Sequence, residues 1–347
     1  MTLTIAAAQD EFDARVTYLN TATLGLPPRR SRLALQQALT DWQDGTANPQ
    51  AYDVDVRRAR SAYGSLVGVE PGLIACGSQV STYVGIVADR VPRHGEVLVA
   101  EGEFTSLTFP FLARGHRVRE VPLECLAEEV GPSTALVAVS AVQSADGRVA
   151  DLEGLRATGV PILLDTTQAI GWLPVDASQY AFTVAGGYKW LLTPRGTAFF
   201  TVQAPMLDEL TPAAANWYAG DDPWSSIYGS PLRLASDARR FDLSPAWHAW
   251  VAGAPSLELL RDVGTDALHE HSVGLARRFR EAVGLEVPKR PSAIVSAVAD
   301  DAVPELMESA LIVGSVRAGR LRLSFHLSTS EADGERAADV LRGHLTD

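Results

Sequence analysis

AFTVAGGYKWLLTPRGTAFF, residues 181–200, decides the architecture. Its two apolar runs, AFTVAG at 181–186 and GTAFFTV continuing to 202, lack strict alternation, so they predict strands buried on both faces of a sheet. Between them lie Gly186, Gly187, Tyr188 and Lys189, then the turn Thr193-Pro194-Arg195-Gly196. Paired glycines let backbone approach something closely. Lys189 follows the core strand directly, flanked by Tyr188 and Trp190. It reads as a snorkelling surface residue or as an amine whose pKa is lowered for Schiff-base chemistry. Scarcity favours the second reading. Of 30 Lys and Arg residues only Lys189 and Lys289 are lysine, and arginine cannot replace an amine nucleophile.

Working outward, EVLVAE (96–101), ALVAVSAV (135–142) and VPILLD (160–165) predict further buried strands. Helical patterns at 79–91, 105–115 and 151–158 alternate with them, which argues for an α/β fold with a mostly parallel sheet covered on both sides. Helices are also expected at 29–44 and 53–67, with DGTANPQAYD between them as an exposed loop. The first places Leu33, Leu35, Ala38, Leu39 and Trp42 mostly on one face. After about residue 240 the texture turns helical, at 246–262, 265–284, 302–310 and 331–345, with short strands at 293–298 and 320–326. The expected division is a large α/β domain over 1–240, its segment 1–28 lining the site, and a smaller α+β domain over 241–347.

Four places carry candidate chemistry. Asp165 ends a buried strand and precedes Thr166, Thr167 and Gln168; it reads as a helix cap or as the holder of a cationic partner at a strand carboxyl end. Gly77-Ser78-Gln79 opens a helix, where free amides favour an anion. Phe104 follows EVLVAE and reads as core or as an aromatic plate. Lys189 supplies the amine. A Schiff-base lysine, an acid for a pyridinium nitrogen, a phosphate turn and an aromatic plate are what pyridoxal phosphate requires.

In that order the motifs resemble the fold-type I pyridoxal-phosphate enzymes of the class V aminotransferase and cysteine desulfurase family. The similarity covers nearly the whole chain: YLNTATLGLPP (18–28), CGSQ (76–79), DTTQAIGWLPVD (165–176), GGYKWLLTPRG (186–196), RRFDLSP (239–245) and LRLSFHLSTSEAD (321–333). The resemblance implies that Lys189 holds the cofactor, Asp165 pairs with its ring nitrogen and Gln168 lies near its phenolic oxygen. It implies that Phe104 takes the place of a stacking histidine, that the Ser78 and Gln79 amides hold phosphate, and that Tyr188 replaces a phosphate-binding histidine. Ser244 would reach the phosphate of the other subunit in a homodimer with composite sites. Arg322 would clamp the substrate carboxylate, and Asn20, Thr21 and Tyr52 would contact substrate. Gly186 replaces a phosphate-binding serine and Gln79 a threonine, so part of the phosphate shell is unassigned.

Desulfurases of this family need a cysteine on a mobile loop before the closing arginine strand. LIVGSVRAGRLRLSFH, 311–326, holds none, and Cys76 and Cys125 lie elsewhere. EFTS (103–106), GGYKWLL and the short RAGRLRLSFH join are most similar to the family's ergothioneine-pathway carbon–sulfur lyases. That similarity implies α,β-elimination on hercynylcysteine sulfoxide, giving a sulfur product, pyruvate and ammonia. NWYAGDDPWSSIYG (216–229) gathers Trp217, Tyr218, Trp224 and Tyr228 around Asp221 and Asp222. It reads as a quaternary-ammonium site or as a dimer contact. The alternatives are another class V activity, such as an epimerase, selenocysteine lyase or desulfurase-like enzyme, and a non-catalytic scaffold.

Composition narrows the partners. The chain has 347 residues, 46% hydrophobic and 21% charged, with net charge −12 and pI about 5.1. Scattered basic residues without a stripe argue against nucleic acid. Two cysteines are too few for a disulfide framework or structural zinc. No apolar run suits a bilayer, and the opening MTLTIAAAQDEFDARV lacks a basic n-region. A soluble cytoplasmic protein with a small-molecule amino-acid substrate is expected.

Overall fold

The computed structural model describes residues 3–347. Seven strands form the main sheet in the spatial order Ile74–Gly77, Ala198–Val202, Phe182–Gly186, Ile162–Asp165, Thr134–Ser140, Glu96–Ala100 and Arg117–Val121. Only Ala198–Val202 runs against its neighbours; the other pairings are parallel. This is the fold-type I pyridoxal-phosphate transferase architecture, as expected.

Burial on both faces is visible residue by residue. Leu98, Val137, Val139, Leu164 and Ala185 pack into one core with the helices Pro49–Val67 and Trp247–Val263. Their strand neighbours Val97, Val99, Leu136, Ala138, Leu163 and Val184 pack into a second core with Val80–Arg90 and Thr105–Ala113. Consecutive strand side chains point to opposite faces, so an apolar residue at every position requires cover on both sides.

A second, antiparallel sheet has the order Ser315–Arg317, Arg320–Ser324, Ile294–Ala299 and Leu345–Thr346. Thr265–Val283, Val303–Ser309 and Glu331–Leu341 cover it around Phe279, Phe325 and Leu341. The N-terminal segment runs from the second sheet to loops of the main one, where Ala22 accepts from Gln168 and Gly25 donates to Tyr188. Thr17–Tyr18 pairs with Ile312–Val313, and Asn20 bridges to Ser324.

Some expectations need correction. The helix expected from 53 begins at Pro49, because Asn48 caps it and proline suits its first turn. The helix expected to reach 345 ends at Leu341, and Leu345–Thr346 becomes an edge strand. Arg117–Val121 was not anticipated as a strand: it is an edge, and its RVREV sequence is mostly charged. On Arg29–Gln43 only Ser31 and Ala38 are buried, while Leu33, Leu39 and Trp42 face outward. No described helix is long and apolar enough to cross a membrane.

Candidate active site

Six strands end on one side of the main sheet, and the loops after all but the edge strand Arg117–Val121 enclose a cavity of about 550 Å³. Ser78, Gln79, Phe104, Asp165, Gln168, Tyr188 and Lys189 all line it. Residues spread over 112 positions of sequence thus meet where the strand carboxyl ends converge.

The loop carrying Lys189 is held from several sides. The Gly187 amide donates to the Thr197 carbonyl (3.0 Å), and the Thr193 amide donates to the Gly187 carbonyl (3.1 Å). A Cβ on Gly187 would meet the Thr193 and Thr197 hydroxyls at 2.3 and 2.5 Å. That glycine serves packing within the loop, whereas Gly186 lines the cavity. Leu192 takes φ +58°, a left-handed conformation costly for a branched residue. Gly25 lies against the loop from the N-terminal segment: its amide donates to the Tyr188 carbonyl, and a Cβ there would sit 2.1 Å from the Lys189 carbonyl oxygen.

Lys189 is 7% exposed. Its Nζ lies 5.5 Å from the Phe104 ring centroid and 5.7 Å from that of Tyr188. Burial lowers its pKa to about 8; the Asp165 carboxylate opposes that shift, while Arg322, Arg317 and Arg195 add to it. Phe104, read from sequence as core or plate, is 44% exposed and lines the cavity, so it is no core residue.

Asp165 is buried and accepts the Thr167 amide at 2.8 Å. Burial raises its pKa, hydrogen bonds from Thr167 lower it, Glu103 raises it and Lys189 lowers it. Gln168 is locked: its amide donates to the Ala22 carbonyl (3.0 Å) and the Ser144 hydroxyl (3.1 Å), and it accepts the Trp190 indole N–H (2.7 Å).

Arg322 is 2% exposed, yet no carboxylate pairs with it among the described residues. It donates to the Ser144 carbonyl and to Thr23 Oγ1 (2.7 Å), and its Nε has no partner. Burial and Arg317 lower its pKa to about 10. Nearby, the Asn20 Oδ1 and Thr21 hydroxyl are also buried without partners. Asn20, Thr21 and Arg322 do not themselves line the Lys189 cavity, although Arg322 bonds to Ser144, which does.

Tyr52, Trp217, Trp224, Tyr228 and Ser244 do not line this cavity within the single chain. Trp224 donates its indole N–H to buried Asp53 (2.6 Å), which also accepts the Tyr218 hydroxyl (3.0 Å). Tyr52 packs beside Trp247 and His248. Ser244 is exposed, while the preceding Leu243 amide binds the Cys76 carbonyl beside the phosphate turn.

Sequence reasoning missed two residues. Glu103 is a buried carboxylate that accepts from Ser140 N and Oγ, Gln143 and Phe104 N. Arg195 lines the cavity with its guanidinium 4.9 Å from the Tyr188 ring centroid. The Thr-Pro-Arg-Gly turn was the only hint of Arg195, and Glu103 lay within EFTS (103–106) with no role attached to it.

Residues 106–304 match the family described as aminotransferase class V. The chain belongs to the class-V aminotransferase family. It is 25% identical to the uncharacterized aminotransferase YcbU of Bacillus subtilis (strain 168), over 93% of this chain and 94% of that protein. It is 28% identical to the isopenicillin N epimerase of Streptomyces clavuligerus, over 82% and 83%. Among solved structures, the cystine C–S lyase C-DES in complex with its product cysteine persulfide aligns with a TM-score of 0.83 at 21% identity, covering 95% of this chain and 98% of that one. The Escherichia coli cysteine desulfurase CsdA aligns at 0.80 and 19% identity, covering 98% of each.

The cofactor of this family member is pyridoxal phosphate, and the cavity suits it. A neutralisable amine and a buried carboxylate share one space with an aromatic ring. Gln79, at the start of Val80–Arg90, makes no side-chain cap, which leaves amides free for an anion. Arg195 adds a cation to the cavity lining.

Proposed function

We propose that this class-V enzyme is a carbon–sulfur lyase acting by α,β-elimination on S-conjugates of cysteine, with hercynylcysteine sulfoxide of ergothioneine biosynthesis as the substrate. The observation that carries the reading is a buried amine poised near neutrality in a cavity that no thiol lines. Cys76 is buried in its strand with its pKa pushed up to about 12 by burial, and Cys125 sits on the Leu123–Cys125 turn. Neither is offered as a persulfide acceptor, so the sulfur leaves with its own substituent.

When bound, pyridoxal phosphate supplies an electron sink for the Cα carbanion. Lys189 would hold the cofactor, and its amine, neutral when free, would take the Cα proton as a base. Asp165 would keep the ring nitrogen protonated, and Arg322 would orient the amino-acid carboxylate. Cleavage of Cα–H and Cβ–S leaves both electrons of the latter bond on sulfur. The three-carbon fragment hydrolyses to pyruvate and ammonia, and the elimination is redox-neutral. Ser78, Gln79, Tyr188 and Arg195 would hold the phosphate, with Ser244 reaching it from a second subunit. The large domain over 1–240 would supply the cofactor site and 241–347 the carboxylate clamp.

The two isopenicillin N epimerase relatives, 28% and 26% identical, favour a second reading in which the proton returns to the opposite face of Cα. A pyruvate-release assay over cysteine conjugates, with and without the sulfoxide, separates the two. Elimination releases pyruvate stoichiometrically with the sulfur product. Solvent deuterium entering Cα with inversion and no pyruvate would establish the epimerase.

A further inference from the structure

Arg317 stands beside the site without any task in the chemistry above. The hairpin Ser315–Arg317/Arg320–Ser324 turns through Ala318 (φ +48°) and Gly319 (φ +76°). Such a two-residue turn with both φ positive fixes strand register. Ser315 pairs with Arg322 and Arg317 with Arg320, so Arg317 and Arg322 project from the same face. Their guanidiniums meet on one atom: Thr23 Oγ1 accepts from Arg322 Nη2 at 2.7 Å and from Arg317 Nη2 at 3.3 Å.

This convergence is unusual for the chain. Arginines elsewhere, such as Arg58, Arg60, Arg119 and Arg148, are paired with carboxylates. Among the described residues neither Arg317 nor Arg322 has one, in a molecule with 42 acidic residues. Arg320, on the same face, is instead spent on Ser296. Two like charges brought together without a counter-ion mark a place for anions, and the buried Nε of Arg322 and Oγ of Ser315 still lack partners there. The charges also reach the reacting amine, since both arginines help to depress Lys189.

We propose that Arg317 is a second anion anchor, so that the substrate carries a carboxylate on its sulfur substituent in addition to the amino-acid carboxylate held by Arg322. This rests on the cysteine-conjugate reading and deepens it to dicarboxylic conjugates. A trimethylammonium group alone would be repelled at this rim, whereas a betaine brings its own carboxylate to Arg317. Arg317 is exposed at a hairpin tip, so replacing it does not disturb a core.

The test uses the holoenzyme and two probes, S-(2-carboxyethyl)cysteine and S-propylcysteine, with binding read from the change in the cofactor's visible spectrum. The wild type should bind the carboxyethyl probe at least tenfold more tightly. Arg317→Gln should reduce that preference to within twofold by weakening the carboxyethyl probe, and Arg317→Lys should restore part of it. Equal affinities for the two probes in the wild type, or a parallel loss of both in Arg317→Gln, would overturn the anchor. Because the readout is binding, the anchor is tested even if neither probe releases pyruvate, an outcome that would count against the lyase alone.

Discussion

Burial lowers the Lys189 pKa and charged neighbours adjust it, and two of those neighbours can be tested separately. Its amine must be neutral to attack the cofactor's aldehyde, so incorporation of pyridoxal phosphate into the apoprotein should accelerate as pH rises through about 8. Asp165 holds that pKa up and Arg322 pushes it down. Asp165→Asn should therefore move the midpoint to lower pH, and Arg322→Ala to higher pH, in stopped-flow absorbance traces. Asp165→Asn should also cut turnover by orders of magnitude while keeping cofactor bound, because an unpaired ring nitrogen loses its proton. Lys189→Ala should abolish both turnover and the borohydride-reducible adduct; Lys289→Ala, in an exposed turn, should change neither. Ser78, Phe104, Asp165 and Lys189 were legible because each lies at or just past the end of an apolar run. Glu103 was not, because what makes it notable is a set of donors 37 to 40 positions away in sequence.

The strand Ile74–Gly77 delivers Ser78 and Gln79, the turn proposed to hold phosphate, and one buried ion pair fixes the strand. Arg60, on Pro49–Val67, donates to both oxygens of Asp242 at 3.1 and 2.6 Å and to the Ile74 carbonyl, and Asp242 also accepts the Cys76 amide at 2.7 Å. Burial disfavours either charge alone, and their mutual attraction holds both. Removing one partner strands the other, at a typical cost of about 3–5 kcal/mol. Asp242→Ala should lower urea stability of the apoprotein by that amount, and it should weaken cofactor binding because Ser78 and Gln79 follow the loosened strand. A cofactor affinity unchanged in Asp242→Ala would separate the strand from the phosphate turn. The element is a short apolar run that sequence could place, but its lock joins positions 60, 76 and 242, which no periodicity connects. Likewise the Arg117–Val121 edge escaped notice because its charged residues are tolerated only where one side has no neighbour.

At the scale of the molecule, apolar surface remains uncovered in the single chain. Trp42 is 64% exposed, Tyr228 86% and Leu232 77%, and the neighbouring Tyr52, Trp247 and His248 hold buried polar atoms without partners. Arg29–Gln43, whose apolar face the sequence shows, leaves that face half bare, since periodicity reports a face to be covered and not what covers it. A second copy of the chain is the occupant we expect, with Ser244 delivered to its partner's phosphate site. Sedimentation should give a dimer, and Trp42→Glu should raise its dissociation constant and reduce activity in proportion to the monomer fraction. A fully active monomer would exclude composite sites. Tyr228 then decides what the aromatic loop does. Unlike Trp224, which is tied to Asp53, its side chain is free to change without loosening the fold. If the loop meets substrate across the dimer boundary, Tyr228→Ala should weaken a trimethylammonium-bearing conjugate by about 0.5–2 kcal/mol and leave an uncharged conjugate unaffected. Equal losses on both conjugates, together with a weaker dimer, would assign the loop to subunit contact.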